Sequence, residues 1–145
     1  MKHTKGPVGA ETRSRGSQTK PVVTKHTGLR HLFAATSYSW AGFRRLLQEA
    51  AFRHELLMCG AAAGLFAVLG ASIDEFITGG ILFLALFAIE ALNTAVEEVI
   101  DRISPEISSV GKHAKDLGSF AVFCMLCACG LYMLVVAIRH APLLV

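Results

Sequence analysis

Three stretches of this chain carry no charged side chain: Leu56 to Ile73, Phe76 to Ile89 and Leu117 to Ile138, of 18, 14 and 22 residues. Hydrocarbon about 30 Å thick requires roughly 20 helical residues to cross it, so the first and third runs read directly as membrane spans. The second is too short alone. It spans only if its helix continues through Glu90 to about Asp101, which places Glu90 and Glu97 in or beside the membrane. No segment has the two-residue period of a strand, so the expected fold is an all-α membrane protein. Its spans are expected at about 56–73, 76–101 and 117–138.

Composition agrees with this reading. Of 145 residues, 53% are hydrophobic and 17% charged, richer in apolar groups than a soluble domain. The four cysteines, at 59, 124, 127 and 129, all lie within apolar runs and read as packing residues, not as a secreted disulfide framework or a redox CxxC. A secretory signal peptide is not expected, because the first apolar run begins near residue 56.

The basic charge is segregated. Ten of fourteen Lys and Arg lie in residues 1–53, three between Arg102 and Lys115, and one at Arg139. By the positive-inside rule the amino terminus and the 102–115 loop are cytoplasmic, leaving Arg139 and His140 on the far side. Residues 1–28 read as a disordered basic tail on an anionic leaflet, and 29–145 as the membrane domain. From Leu29 to about Glu55 the pattern is amphipathic: Leu29, Leu32, Phe33, Trp40, Phe43 and Leu47 fall within about 40° of one line at 100° per residue. His31, Tyr38, Arg45 and Glu49 occupy the opposite side, as expected of an amino-terminal amphipathic helix lying on the membrane surface.

The second span carries the chemistry. Glu90, Asn93, Thr94, Glu97 and Asp101 recur at helical spacing and share one face, while Glu98 lies about 80° off that line. Counted inward from Phe76, Glu97 reaches the hydrocarbon boundary and Glu90 lies about 9 Å deeper. A carboxylate at that depth costs a few kcal/mol and marks a functional candidate. A lipid alcohol and a water-borne nucleotide can meet only at such a boundary. Phosphoryl transfer between them requires carboxylates for Mg²⁺, cations near phosphate and a base for the attacking hydroxyl. Glu49 and Glu97, then Lys115 with Lys112 and Arg102, then Glu90 match those requirements. No GxxxxGK[ST] loop or Gly-rich kinase loop is present in the sequence.

The segments YSWAGFR (Tyr38 to Arg44), EAAFRHE (Glu49 to Glu55), IEALNTAVEEVIDR (Ile89 to Arg102) and AKDLGS (Ala114 to Ser119) resemble the prokaryotic diacylglycerol kinase family in order and spacing. The likeness covers about residues 28 to 140. It implies a homotrimeric lipid kinase of the bacterial inner membrane, with three spans and a surface helix per subunit. Its partners would be ATP, a lipid substrate and the membrane, with no nucleic acid, and Mg²⁺ would be its cofactor. The resemblance implies Glu90 as catalytic base and Glu49 and Glu97 as metal ligands. The nucleotide would be bordered by Tyr38, Glu49, Glu97, Glu106, Ser108, Lys115 and Asp116. Arg30, His31, Ala51, Phe52, Arg53, His54, Glu55, Glu90 and Ser119 would border the lipid, with Asn93 and Asp101 in support, and the site would be shared between subunits.

Two departures stand out: the family's early surface-helix Arg aligns with His31, beside Arg30, and the segment between Trp40 and Glu49 is one residue short. DRIS and AKDLGS look more like the diacylglycerol-using members than the undecaprenol kinases of the same family. A small proton-coupled transporter, with Glu90 cycling a proton, is the alternative of a different class, but it gives Lys115, Asp116 and Glu49 no task. A non-catalytic scaffold leaves Glu90 unexplained.

Overall fold

A computed structural model describes residues 29–104, 106 and 108–141, with the side chains of residues 29–34 outside the description. The tail of residues 1–28 and the side chains of Arg30 and His31 therefore lie outside the described residues. Among the described residues four helices follow one another: α1 (Leu29–Leu46), α2 (Ala50–Leu69), α3 (Ile73–Ile103) and α4 (Ser109–His140). Among the described residues there is no strand. The last three helices are long and apolar enough to cross a membrane. At 1.5 Å per residue, the 31 residues of α3 and 32 of α4 extend to about 46–48 Å, beyond a hydrocarbon core of about 30 Å. Their excess carries charge: Glu97 to Arg102 at the end of α3 and Lys112 to Asp116 at the start of α4.

Each junction has a local cause. Helix α2 stops at Gly70, whose φ of 67° is left-handed and whose N–H bonds back to the Ala67 and Phe66 carbonyls. After Ala71, Ser72 opens α3 with a capping box: its side chain accepts from the Glu75 N–H, and its own N–H donates to Glu75 Oε2 at 2.8 Å. Ser108 starts α4 by accepting from the Gly111 N–H at 3.0 Å.

The amphipathic segment expected as one helix over about 29–55 is divided. Helix α1 ends at Leu46; Glu49 is extended (φ −78°, ψ 132°) and is the N-cap of α2, so Ala51 to Glu55 belong to the first spanning helix. Arg53 bends back and donates from Nη1 to the carbonyls of Leu47 (3.2 Å) and Gln48 (2.8 Å), covering acceptors that the break leaves unpaired. The break also removes Leu47 from the apolar stripe of α1 and Glu49 from its polar face.

Antiparallel α3 and α4 pack most extensively, and α2 leans on both. Ala62, Phe83, Leu86, Val122 and Cys129 form the core between them. Edge-to-face rings join the α1–α2 corner to this core: Phe43 against Phe52 at 5.9 Å and Phe52 against Phe87 at 5.3 Å. Many large apolar side chains point outward along the spans, among them Leu57, Val68, Ile81, Leu84, Leu92, Phe123 and Leu131. A soluble monomer rarely exposes so much contiguous apolar surface, which suits a molecule whose solvent is lipid. The cysteines divide: Cys129 is buried in the core and Cys59 half-buried, whereas Cys124 and Cys127 lie on the outer face of α4.

At the end of the bundle remote from the charged loop, Glu75 is buried and fully engaged. Its carboxylate accepts from Arg139 Nη1 at 2.9 Å and Ser72 Oγ at 3.1 Å, and meets His140 Nε2 at 3.0 Å. Tyr132 donates its hydroxyl to the Glu75 carbonyl. The start of α3 is thereby fastened to the end of α4.

Candidate active site

The acidic face of α3 turns inward toward α2 and α4. Glu90 is 4% exposed and Thr94 7%, while Asn93 and Glu97 are half-buried and Asp101 reaches solvent. Desolvating a carboxylate is costly, and the usual compensation is a cation. None of the ion pairs among the described residues involves Glu90. Acidic groups surround it instead: Glu49 from the α1–α2 turn, Glu97 one pair of turns further along α3 and Glu55 of α2 are all near enough to interact with it electrostatically. Glu55 is itself 4% exposed, and its Oε2 has no hydrogen-bond partner among the described residues. Four carboxylates from three segments thus converge on one region of the bundle.

Neighbouring groups orient them. Asn93 Nδ2 donates to Glu97 Oε1 at 3.1 Å, while the Asn93 Oδ1 is buried without a hydrogen-bond partner among the described residues. Arg45 binds Glu49 Oε1 through Nη1 at 2.6 Å and Glu98 Oε1 through Nε at 2.7 Å. These contacts, chiefly the hydrogen bond to Glu49, raise the Arg45 pKa further above its ordinary value and keep it cationic. Gly118 of α4 lies directly over Asn93: a Cβ there would fall 2.2 Å from Asn93 Oδ1. The close approach of α4 to the acidic face therefore depends on a missing side chain.

Beside this face the carboxyl end of α3, the connecting loop and the first turns of α4 enclose a cavity of about 240 Å³. It is lined by Ile100, Asp101, Ser104, Glu106, Ser108, Gly111, Lys112, Lys115 and Asp116. Lys115 is ion-paired with Asp101, and Lys112 Nζ meets Asp116 Oδ2 at 2.7 Å. Two ammonium groups in the first two turns of α4, where the helix dipole is positive, form an environment suited to phosphate.

Of the nucleotide residues implied by the sequence resemblance, Glu106, Ser108, Lys115 and Asp116 line this one cavity. Tyr38 is not among its lining residues; it is 75% exposed on α1. Glu49 and Glu97 flank Glu90. In the segment that the resemblance assigns to the lipid, Phe52 and Glu55 face inward, Phe52 sealed among aromatic rings, while Ala51, Arg53 and His54 face outward, as does Ser119. Among the described residues, no three His, Cys, Asp or Glu side chains lie close enough to form a preformed metal centre. Mg²⁺ does not require one, because it is characteristically held by one or two carboxylates plus substrate phosphates and water. The acidic donors around Glu90 fit that ion by type.

Sequence reasoning missed three features here. Arg45 joins Glu98, which helical phase had placed off the acidic stripe; Gly118 seats Asn93; and Glu55 is buried beside Glu90. Only Gly118, a small residue in an apolar helix, leaves a local trace in the sequence.

Comparison with known proteins gives this geometry its context. Residues 37–137 match the family model for prokaryotic diacylglycerol kinase. The chain is 54% identical over 127 residues to a diacylglycerol kinase of Sinorhizobium, covering 88% of this chain and 92% of that protein. It is 41% identical over 108 residues to the Haemophilus influenzae diacylglycerol kinase (74% and 92% covered). It is 37% identical over 106 residues to that of Escherichia coli K12 (70% and 84% covered). The matched segment contains the acidic face of α3, the charged cavity and the α1–α2 turn together, and the chain belongs to the prokaryotic diacylglycerol kinase family.

Proposed function

We propose that this protein transfers the γ-phosphoryl group of ATP to the free hydroxyl of diacylglycerol, giving phosphatidic acid and ADP at the cytoplasmic face of the bacterial inner membrane. The observation that carries the reading is Glu90: a buried carboxylate with no cationic partner among the described residues, flanked by Glu49 and Glu97, next to a cavity bearing Lys112 and Lys115. A helix-packing glutamate would not need the acidic neighbours, nor a proton carrier the lysine-lined cavity. Family membership and the relatives' names support the substrate.

In this reading the lipid hydroxyl approaches Glu90 from the membrane side, near Glu55 and Ser119, and the nucleotide approaches from the cavity. Glu90 accepts the hydroxyl proton as the oxygen attacks the γ-phosphorus, and the bond to the β-phosphate oxygen breaks to release ADP. The walls around Glu90 exclude water, which limits hydrolysis of ATP. Lys115 and Lys112 neutralise phosphate charge, and Glu106, Ser108 and Asp116 border the nucleotide. Glu49 and Glu97 would hold Mg²⁺, which when bound offsets charge on the transferring phosphates. Asn93 holds Glu97 in place, and Asp101 does the same for Lys115. The family resemblance supports assembly into a homotrimer with sites completed by neighbouring subunits.

The test is purified protein in mixed micelles with labelled ATP, Mg²⁺ and either diacylglycerol or undecaprenol. Label in phosphatidic acid is expected. Label only in undecaprenyl phosphate overturns the substrate, and label in neither lipid overturns the kinase reading.

A further inference from the structure

The only side chain that ties the α1–α2 turn to the charged end of α3 by ion pairs is Arg45, among the described residues. Its guanidinium uses two edges: Nη1 to Glu49 Oε1 and Nε to Glu98 Oε1, at 2.6 and 2.7 Å. Helix α1 stops one residue later and Glu49 sits in extended backbone, so helical hydrogen bonding does not fix where its carboxylate points. Glu49 also receives no hydrogen bond from its role as N-cap. Phe52 anchors the following turn through Phe87, but that contact is apolar and lies on the opposite side of α2 from the exposed Arg53 and His54. Arg45 is therefore what aims the Glu49 side chain.

We propose that Arg45, held by Glu98, is a positioning residue that presents Glu49 to the metal-nucleotide. This rests on the assignment of Glu49 under the proposed function. Arg45 occupies Oε1 and leaves Oε2 free to bind a cation. Alone, the guanidinium would cancel the charge of Glu49 and repel a dication. Glu98 supplies the compensating charge, so the trio keeps a net negative charge at the turn. A planar fork with donors on two edges suits the bridge, which a point-like ammonium does not reproduce. The side chains are 42% (Arg45), 37% (Glu49) and 53% (Glu98) exposed, and exposed pairs contribute little to stability. Disrupting the bridge should thus alter cation affinity while leaving the fold intact.

The experiment uses the full chain in nanodiscs. Mn²⁺ binding with a non-hydrolysable ATP analogue is followed by electron paramagnetic resonance, beside the Mg²⁺ dependence of turnover. Arg45→Ala and Glu98→Gln should each weaken Mn²⁺ binding and raise the half-saturating Mg²⁺ about two- to fivefold, with kcat at saturating Mg²⁺ within about twofold of wild type. Arg45→Lys should fall between Arg45→Ala and wild type. Because Glu98 acts through Arg45, Arg45→Ala/Glu98→Gln should be no worse than Arg45→Ala alone. The inference is overturned if Glu98→Gln has its full effect without Arg45, or if both single variants bind Mn²⁺ like wild type while Glu49→Gln does not. Should Glu49→Gln itself bind Mn²⁺ like wild type, the metal role of Glu49 falls, and this inference with it.

Discussion

Replacing Gly118 by Ala tests how closely α4 must approach the acidic face of α3. The added Cβ would lie 2.2 Å from Asn93 Oδ1 and 3.8 Å from Asn93 Cα. Ordinary contact between carbon and oxygen is more than 3 Å, so one of them must move by about 1 Å. The Asn93 amide is the softer partner, since the backbone contact is already comfortable. If it swings away, it releases Glu97, costing about 1.5–3 kcal/mol for a hydrogen bond to a charged group. Alanine regains about 1 kcal/mol of helix propensity over glycine. The net destabilisation is then about 0.5–2 kcal/mol, with a larger fall in activity because Glu97 loses its orientation. Gly130, on the same helix with nothing within 4 Å of its hypothetical Cβ, is the control; Gly130→Ala should be neutral or slightly stabilising. Thermal unfolding in detergent followed by near-UV circular dichroism, alongside lipid kinase assays, would measure both effects. The reasoning is refuted if Gly118→Ala matches Gly130→Ala in stability and activity, or if Asn93→Ala fails to relieve the Gly118→Ala destabilisation in the double variant.

Three further outcomes are expected. Glu75→Ala removes a helix cap and the anchors of Arg139 and His140, so it should lower stability by about 1–3 kcal/mol with a modest effect on the kcat of folded protein; equal losses in kcat and stability would show that the two ends are coupled. A reporter cysteine at Ser109 in a cysteine-free background should be labelled by an impermeant maleimide only from the cytoplasmic side, and labelling from outside would invert the site. Mixing inactive Glu49→Gln and Glu97→Gln chains should restore part of the activity if the site is shared between subunits; mixed assemblies that remain inactive would place both residues in one chain's site.

The spanning helices were legible because hydrocarbon tolerates few charges, so long uncharged runs leave few alternatives. The acidic face was legible because Glu90, Asn93, Thr94, Glu97 and Asp101 obey the helical period, and neither their depth nor their shared face needs tertiary information. The break at residues 47–49 was not. Arg44 to Ala51 contains only competent helix formers, with neither Gly nor Pro, and the chain turns because Phe43 and Phe52 dock near Phe87 while Arg53 caps the freed carbonyls. Arg45 and Glu98 are 53 residues apart, a distance over which periodicity says nothing. The Ser72-x-x-Glu75 spacing could have announced the capping box, but its continuation to Arg139 and His140 required the antiparallel pairing of α3 with α4. The resemblance sets Glu55 among the residues bordering the lipid substrate, and only the phase of α2 separates it, buried with Phe52, from Arg53 and His54.

In the proposed mechanism Glu90 takes the proton while Glu49 and Glu97 serve the metal-nucleotide. The most direct measurement is Mg-ATP affinity and kcat side by side for Glu90→Gln, an isosteric change that leaves a neutral amide where a base is needed. Glu90→Gln should bind Mg-ATP within about twofold of wild type and lose turnover by at least about a hundredfold. A folded Glu90→Gln assembly with near-normal kcat would contradict the account and make Glu90 a helix-packing residue.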